Sequence, residues 1–191
     1  MPAALLRSTV AEFQGKRVLI TGAAIGLGRA FAQGFAAAGA TLLLADVDAP
    51  GLARVAAEGA PGATWLVYDQ GDLAYIEARV QTAGQVDVLL NNATIVLVKP
   101  VLNTTPEEMA HIFRVNLLGP IALARAVAAG MIVRGGGVIL DMSSKLAFCN
   151  AEGRALYAVA KAGLTQFTQT AAVEWASVLN ALLGLRQGQE P

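Results

Sequence analysis

The stretch Thr21-Gly22-Ala23-Ala24-Ile25-Gly26-Leu27-Gly28 decides the fold, because it places three glycines between an apolar run of strand length and a helical segment. Residues 17–21 precede it as the predicted first strand, and residues 30–38 follow it with the apolar spacing of a helix. Glycines let a backbone approach a pyrophosphate closely, and a helix N-terminus offers free N–H groups to an anion. A turn that only packs the helix tightly on the strand has the same sequence, but the position after a first strand favours a dinucleotide site.

Outward from this turn, apolar runs of strand length alternate with segments of helical period. The predicted strands are residues 17–21, 41–45, 64–68, 86–90 and 137–142, and the predicted helices are residues 30–38, 52–58, 73–83, 106–134 and 154–183. Continuous apolar strands are typical of a parallel sheet that is buried on both faces. The alternation predicts an α/β fold with a doubly wound, Rossmann-like parallel sheet. We expect a single domain over residues 1–183 and a loose tail over residues 184–191.

The composition excludes several classes of protein. Of the 191 residues, 55% are hydrophobic and 15% are charged, which excludes an intrinsically disordered chain. The net charge is zero and the basic residues are scattered, so we expect no nucleic-acid partner. The single cysteine, Cys149, cannot form an internal disulfide, and the single histidine, His111, cannot form a histidine cluster for zinc. No metal site is predicted.

The apolar content does not predict a membrane segment. The longest uncharged stretch, residues 30–45, contains Gln33 and two glycines and falls short of the roughly 18–20 apolar residues that a span requires. The first fifteen residues hold no apolar run long enough for a signal peptide. We therefore expect a cytoplasmic protein.

An acidic residue ends the second predicted strand. Asp46 stands where a carboxylate that binds the adenosine ribose hydroxyls is expected after such a glycine turn. A solvated loop carboxylate, as we expect for Asp48, is the other interpretation. A carboxylate at this position would repel the 2′-phosphate of NADP, and neither Val47 nor Ile25 supplies a cation there. The sequence therefore favours NAD over NADP.

Three side chains suited to proton transfer lie in the last third of the chain. Tyr157 and Lys161 are one turn apart on a predicted helix and share a face. Ser144 ends the fifth strand, at the carboxyl edge where ligands of such sheets bind. An ammonium group near a phenol favours the phenolate, which can exchange a proton with an alcohol or ketone. A partly buried tyrosine beside a surface lysine has the same spacing, so both interpretations stay open.

Asn116 lies in the long predicted helix, four residues before Pro120. Proline has no N–H, so the carbonyl of Asn116 loses its helical partner and is free to bind water. Two interpretations fit this pattern: a simple kink in the helix, or a carbonyl that binds one water molecule of a proton relay.

Taken together, these motifs resemble the short-chain dehydrogenase/reductase family over residues 15–176. The matching motifs are the glycine turn, Asn91-Asn92-Ala93 after the fourth strand, Asn116 in Val-Asn-Leu-Leu-Gly, Ser144, and Tyr157-Ala-Val-Ala-Lys161. The resemblance implies an NAD(H)-dependent oxidoreductase that transfers a hydride between nicotinamide and a secondary alcohol or ketone. It implies that Tyr157 is the acid/base and that Lys161 lowers the pKa of this tyrosine and holds the nicotinamide ribose. Ser144 would orient the substrate oxygen, and Asn116 would hold the relay water.

The resemblance also implies a cofactor site and an oligomer interface. Asp69 is expected near the adenine, and Asn92 near the adenosine ribose. The predicted cofactor-binding residues are Gly22, Ala24, Ile25, Gly26, Gly28, Asp46, Val47, Asp69, Gln70, Asn92, Ala93, Tyr157 and Lys161. The helices predicted at 106–134 and 154–183 would form the interface of a homodimer or homotetramer, and the remaining expected partner is a small alcohol or ketone.

The chain departs from the family pattern in three places. Thr94 stands where a glycine is usual, and a β-branched residue resists positive φ and crowds a turn beside the cofactor. Asp141 stands where an asparagine is common. No sixth or seventh strand is predicted after the last helix. The early end of the pattern suggests an alternative function, a shortened and catalytically inactive dinucleotide-binding protein.

Overall fold

A parallel sheet organises the chain. The computed structural model describes residues 13–176 and 181–187. The strands are β1 (Arg17–Thr21), β2 (Thr41–Asp46), β3 (Thr64–Val67), β4 (Val88–Asn91), β5 (Val138–Ser144) and β6 (Ala181–Gln187). They pair in the order β3-β2-β1-β4-β5-β6, with every pair parallel. The predicted doubly wound parallel α/β fold is confirmed.

Helices connect successive strands. They are α1 (Gly26–Ala37), α2 (Ala49–Gly59), α3 (Leu73–Thr82), α4 (Pro106–Phe113), α5 (Gly119–Arg134) and α6 (Ala155–Glu174). A capping box begins α4: the Glu108 N–H donates to Thr105 Oγ1 at 3.2 Å, and the Thr105 N–H donates to Glu108 Oε2 at 2.9 Å. Both bonds satisfy N–H groups that the first helical turn leaves free.

The predicted single helix over 106–134 is wrong in one respect, because a π-helical turn at Arg114–Leu118 separates α4 from α5. Within it the Gly119 N–H donates to the carbonyl of Arg114, five residues earlier. The physical reason is Pro120, which has no N–H to continue the regular ladder to Asn116. Such turns are frequent at functional sites.

Both faces of the sheet are covered. Side chains of Leu19, Leu89 and Ile139 pack with α3, α5 and α6 on one face. Val18, Ile20 and their neighbours in β2 pack with α1 and α2 on the other. Alternate residues of one strand thus enter opposite cores, which explains why the strands are apolar without alternation.

The expectation that the sixth strand is missing is wrong. β6 pairs with β5 from Val138–Ala181 to Ser144–Gln187, and α6 ends at Glu174 instead of continuing to residue 183. An open β5 edge offers unpaired N–H and C=O groups, which a short apolar segment can satisfy by pairing. Residues 184–187, expected to begin a loose tail, extend this strand, whereas predictions for residues 1–12, 177–180 and 188–191 lie outside the described residues. No seventh strand occurs within the described ranges.

The segment Pro106–Arg134 is long and apolar enough, by length and composition alone, to cross a membrane. However, 50% of its most apolar window is buried inside the fold. Leu123, Val127 and Met131 of α5 belong to the core on one face of the sheet. A core helix meets the same criterion, so the finding is weak evidence for a membrane segment.

The strand order places a crevice between β1 and β4. From β1 the chain winds outward through β2 to β3, then returns and winds in the other direction through β5. The loops after β1 and β4 therefore diverge, and ligands of such sheets bind at this point, beyond the carboxyl ends of the strands.

Candidate functional site

A cavity of about 580 Å³ opens at the carboxyl ends of β1, β2 and β4. Nine of the predicted cofactor-binding residues line it: Gly22, Ile25, Gly26, Asp46, Val47, Asp69, Gln70, Asn92 and Ala93. The residues were predicted from separate motifs, and the sheet brings them to one edge. Its place at the divergence of the β1 and β4 loops matches the site expected from the topology.

The glycine turn is packed against the end of β4. Gly22 has φ +65°, and a Cβ there would lie 2.7 Å from Ala93 Cα. A Cβ on Gly28 would overlap the carbonyl oxygen of Gly22 and lie 2.7 Å from Asn92 Nδ2. These two glycines therefore allow close packing. Gly26 lines the cavity as Gly22 does, but a Cβ on Gly26 would meet nothing within 4 Å.

Asn92 joins the glycine turn to β4. Its Nδ2 donates to the carbonyl oxygens of Thr21 at 3.0 Å and Gly22 at 3.1 Å. The hydroxyl of Thr21 in turn accepts from the N–H groups of Asn92 at 3.1 Å and Ala93 at 3.0 Å. These hydrogen bonds fix the distance between the loop after β1 and the loop after β4. They therefore shape the cavity that the two loops line.

The carboxylate of Asp46 is held by backbone donors. Its Oδ2 accepts from the Ala24 N–H at 3.0 Å, and its Oδ1 accepts from the Asp48 N–H at 3.1 Å. Ala24 thus ties the glycine turn to the end of β2. A carboxylate accepts about four hydrogen bonds, so Asp46 retains acceptor capacity toward the cavity. No lysine or arginine is among the residues that line this cavity.

Gln70 contributes a buried amide to the cavity wall. Its Nε2 donates to the carbonyl of Val115 at 3.1 Å, while its Oε1 has no hydrogen-bond partner among the described residues. Asp69, beside it, accepts from the Gly71 N–H at 2.7 Å. The open space at Gly26, the available carboxylate of Asp46 and this amide together fit a dinucleotide.

A second cavity of about 410 Å³ adjoins the first. Ser144 and Tyr157 line it, and Thr94 lines both cavities. The Oγ of Ser144 accepts from the Leu146 N–H at 3.2 Å and thereby begins the short helical turn after β5. Two of the predicted catalytic residues therefore face one space, next to the predicted dinucleotide cavity.

Lys161 lies behind Tyr157 on α6. Its Nζ is 5.8 Å from the centroid of the Tyr157 ring and donates to the carbonyl of Met142 at 2.6 Å. The side chain is 2% exposed, and burial lowers the pKa of Lys161 to about 8, an effect that the negative charge of Asp141 opposes. An ammonium group has three N–H donors, so two remain for a ligand or water.

Asp141 is fully buried between β5 and α6. Its Oδ1 accepts from Asn91 Nδ2 and its Oδ2 accepts from Thr168 Oγ1, both at 2.8 Å. Burial raises the pKa of Asp141, while these two hydrogen bonds and the charge of Lys161 act to lower it. Asp141 is not among the residues that line the second cavity.

Asn116 is buried in the π-helical turn and lines neither cavity. Its Oδ1 accepts from the Ile95 N–H at 2.8 Å and from Thr94 Oγ1 at 3.1 Å, and its Nδ2 donates to the carbonyl of Ile95 at 2.7 Å. The side chain therefore positions the loop that separates the two cavities. Thr94 sits there without positive φ, which only glycines adopt among the described residues, so the expected strain is absent.

Several residues that no motif indicated also line the cavities. His111, Tyr68 and Ile95 contribute to the larger one, and Lys145 and Arg154 to the smaller one. None belongs to a residue pattern with a defined spacing. They reach the site through loops and helix ends that only the fold positions.

The comparisons agree with this geometry. A family model described as short chain dehydrogenase matches residues 16–179. A galactitol 2-dehydrogenase of Agrobacterium fabrum (strain C58 / ATCC 33970) is 39% identical over 167 residues, which are 85% of this chain and 65% of that protein. A sorbitol dehydrogenase of Cereibacter sphaeroides is 35% identical over 168 residues, 84% of this chain and 64% of that protein.

A solved structure is also similar. The crystal structure of a metagenomic short-chain oxidoreductase in complex with NADP superposes with a TM-score of 0.86 at 29% identity and covers 93% of this chain and 84% of that one. The chain therefore belongs to the short-chain dehydrogenase family. It spans 65% and 64% of the length of the two dehydrogenases, which is less than two thirds.

Proposed function

We propose that this chain is an NAD(H)-dependent oxidoreductase that acts on a secondary alcohol or its ketone, with Tyr157 as acid/base. The observation that carries the proposal is the adjacency of the two cavities. One has the dinucleotide features of the glycine turn and Asp46, and the other holds Ser144 and Tyr157. Thr94 lines both cavities, so the residues of the first would hold a nicotinamide cofactor next to a substrate held by the second.

The roles of the side chains follow from their chemistry. When bound, the nicotinamide accepts or donates the hydride. In the oxidation, the Tyr157 oxygen takes the proton of the alcohol while the carbon loses its hydride, and the reduction reverses both transfers. The positive charge of Lys161 stabilises the phenolate of Tyr157. The Ser144 hydroxyl donates a hydrogen bond to the substrate oxygen.

We propose that the side chain of Asn116 positions the loop at Thr94 and Ile95. Its three hydrogen bonds to Thr94 and Ile95 set the shape of the passage between the cavities. The carbonyl of Asn116, which Pro120 leaves without a regular helical partner, is the proposed site of a relay water.

NAD is the proposed cofactor. The carboxylate of Asp46 retains lone pairs for the hydroxyls of the adenosine ribose and repels a 2′-phosphate. Val47, 65% exposed at the cavity, is apolar and offers no counter-charge. The NADP complex described above is a property of that relative.

A homodimer or homotetramer is the proposed assembly. Exposed apolar side chains occur on the two helices predicted for the interface, Val133 on α5 and Val159 and Val173 on α6. A cytoplasmic location also remains a prediction from the sequence.

Titration with NADH, followed by cofactor fluorescence, tests the proposal together with an assay of secondary alcohols and ketones. The expected result is NADH binding that Asp46→Ala weakens and Tyr157→Phe retains, with turnover that Tyr157→Phe abolishes. Binding without turnover across the panel would favour the alternative, an inactive dinucleotide-binding protein, for which the comparisons give no support. No binding at millimolar NADH would contradict both.

A further inference from the structure

One residue contributes to both cavities. Among the described residues, Thr94 alone lines the larger cavity, which we propose for the dinucleotide, and also the smaller cavity that holds Ser144 and Tyr157. A hydride passes directly between two carbon atoms, which must approach to about 3–3.5 Å. In the proposed reaction, the nicotinamide and the reacting carbon of the substrate therefore meet where the two cavities share a lining residue, at Thr94.

The backbone on both sides of Thr94 is held by hydrogen bonds. Just before it, the Ala93 N–H donates to Thr21 Oγ1 at 3.0 Å. Just after it, the Ile95 N–H donates to Asn116 Oδ1 at 2.8 Å, and Asn116 Nδ2 donates to the carbonyl of Ile95 at 2.7 Å. The side chain of Asn116 is fully buried. Thr94 therefore belongs to a rigid part of the cavity wall.

The side chain of Thr94 is fixed as well. Its Oγ1 donates to Asn116 Oδ1 at 3.1 Å, and this bond selects one rotamer of a side chain that is already stiff because it branches at Cβ. Asn116 lines neither cavity, so the hydroxyl is bound to the protein and not to the space of the site. The surface that Thr94 presents to the two cavities is therefore mainly that of its carbon atoms.

This side chain occupies space that a glycine would leave open. It adds a Cβ, a hydroxyl and a methyl group at the place where the substrate carbon and the cofactor are proposed to meet. A rigid, well-packed wall does not make room for additional atoms without strain. The substituent of the reacting carbon that lies next to Thr94 therefore has to be small.

The rest of the smaller cavity has room for a larger group. Its volume is about 410 Å³, which lies in the range of roughly 300–1,000 Å³ that small-molecule sites occupy. Val96, Leu146 and Ala151 supply apolar side chains to its wall. A second, longer substituent of the reacting carbon finds both space and apolar contacts there. The two substituents of the same carbon thus meet different limits on their size.

We infer that Thr94 is a specificity-determining residue that restricts the substrate to alcohols and ketones with one small substituent on the reacting carbon, such as a methyl or hydroxymethyl group. This inference rests on the proposed function. A secondary alcohol whose hydroxyl lies next to the end of its chain satisfies the restriction. An isomer with its hydroxyl in the middle of the chain does not.

The test compares two isomers, 2-heptanone and 4-heptanone, which differ in the position of the carbonyl and therefore in the size of the smaller substituent. Initial rates of NADH oxidation give kcat/KM for each ketone, and calorimetry gives their binding to the NAD complex, which has no hydride to donate. The wild type should prefer 2-heptanone about tenfold or more, because one or two methylene groups change selectivity by at least that factor. Thr94→Gly opens the space and should lower this preference about tenfold.

Two variants separate the volume of the Thr94 side chain from its hydrogen bond. Thr94→Val keeps the volume but lacks the hydroxyl, so it should keep the preference for 2-heptanone. Thr94→Ser keeps the hydroxyl but lacks the methyl group, so it should lose part of the preference. Thr104→Gly is the matched control, because Thr104 lies in the same connection between β4 and α4 and lines neither cavity. It should leave the preference unchanged.

The outcomes separate this inference from the proposed function. Equal use of the two ketones by the wild type, or a preference that Thr94→Gly does not change, would overturn the inference and leave the proposed function standing. A preference that Thr94→Val loses and Thr94→Ser keeps would also overturn it, because the hydroxyl and not the volume would then select the substrate.

Binding measurements decide the case in which no compound is turned over. Selective binding of 2-heptanone that Thr94→Gly abolishes, with no turnover across the panel of secondary alcohols and ketones, would support the size limit and contradict the proposed function. Failure of the wild type either to bind or to reduce both ketones would overturn the inference.

Discussion

Thr168 Oγ1 on α6 donates a hydrogen bond of 2.8 Å to Oδ2 of Asp141 on β5. Both residues are buried. On the same face of α6, Thr165 Oγ1 hydrogen-bonds with Ser143 Oγ, and Lys161 Nζ donates to the carbonyl of Met142. A row of polar contacts therefore fixes the helix that carries Tyr157 to the strand that carries Ser144.

Replacement of Thr168 by valine should destabilise the fold. The change preserves shape but removes one of the two donors to the buried carboxylate of Asp141, and an unsatisfied buried group costs about 1–3 kcal/mol. The free energy of unfolding, measured with denaturant at pH 7, checks this. Thr170→Val is the matched control, because Thr170 is exposed on the same helix. Equal effects of the two substitutions would contradict the importance of the Asp141 contact.

The stability of the protein should rise from pH 7 to pH 10 because of Lys161. Its pKa falls from 10.5 to about 8 on folding, so between these values the unfolded chain binds more protons than the folded one. Below pH 8 the buried positive charge of Lys161 lowers the free energy of unfolding. Deprotonation removes this cost as the pH rises, so the free energy of unfolding should increase by about 2 kcal/mol between pH 7 and pH 10.

Lys161→Met is the reference variant for this measurement. It lacks the titrating group, so the difference in unfolding free energy between wild type and variant isolates the contribution of Lys161. The unfolding free energy of the wild type minus that of the variant should increase from pH 7 to pH 10. A difference that is independent of pH would show that the lysine titrates normally in the folded protein.

Thr94→Val should lower stability modestly. It removes the hydroxyl that donates to Asn116 Oδ1 at 3.1 Å, while the Ile95 N–H continues to satisfy that oxygen. The expected loss is about 1 kcal/mol in thermal or denaturant unfolding. Thr94→Ser keeps the hydroxyl, so its free energy of unfolding should be close to that of the wild type. A larger loss with serine than with valine would mean that packing of the methyl group, and not the hydrogen bond, holds this loop.

Cofactor preference should follow the charge at the end of β2. Asp46→Ser combined with Val47→Arg removes the repulsion of a 2′-phosphate and adds a counter-charge at an exposed position. The ratio of NADPH to NADH affinity should rise roughly tenfold or more. Fluorescence titration with both cofactors measures it. Asp48→Ala is the control, because Asp48 caps α2 through the Gly51 N–H and does not line the cavity.

Local sequence features were sufficient for most of the architecture. Strand-length apolar runs, the Gly22-to-Gly28 turn and the Thr105 capping box each depend on neighbours in the chain, and the strand–helix alternation is confirmed. The sequence also predicted that Asp46, Asn92 and Ser144 lie at one edge of the sheet, because the carboxyl ends of parallel strands share one edge.

Tertiary structure alone decided three features. Residues 181–187 form a strand because the edge of β5 offers hydrogen-bonding groups, which no local pattern encodes. Asn116 binds the loop at Thr94 because the π-helical turn directs its side chain there. Arg154 and Lys145 share a cavity because a helix start and a strand end converge. Each depends on contacts between residues distant in sequence, whereas the parts that sequence determined depend on spacing along the chain.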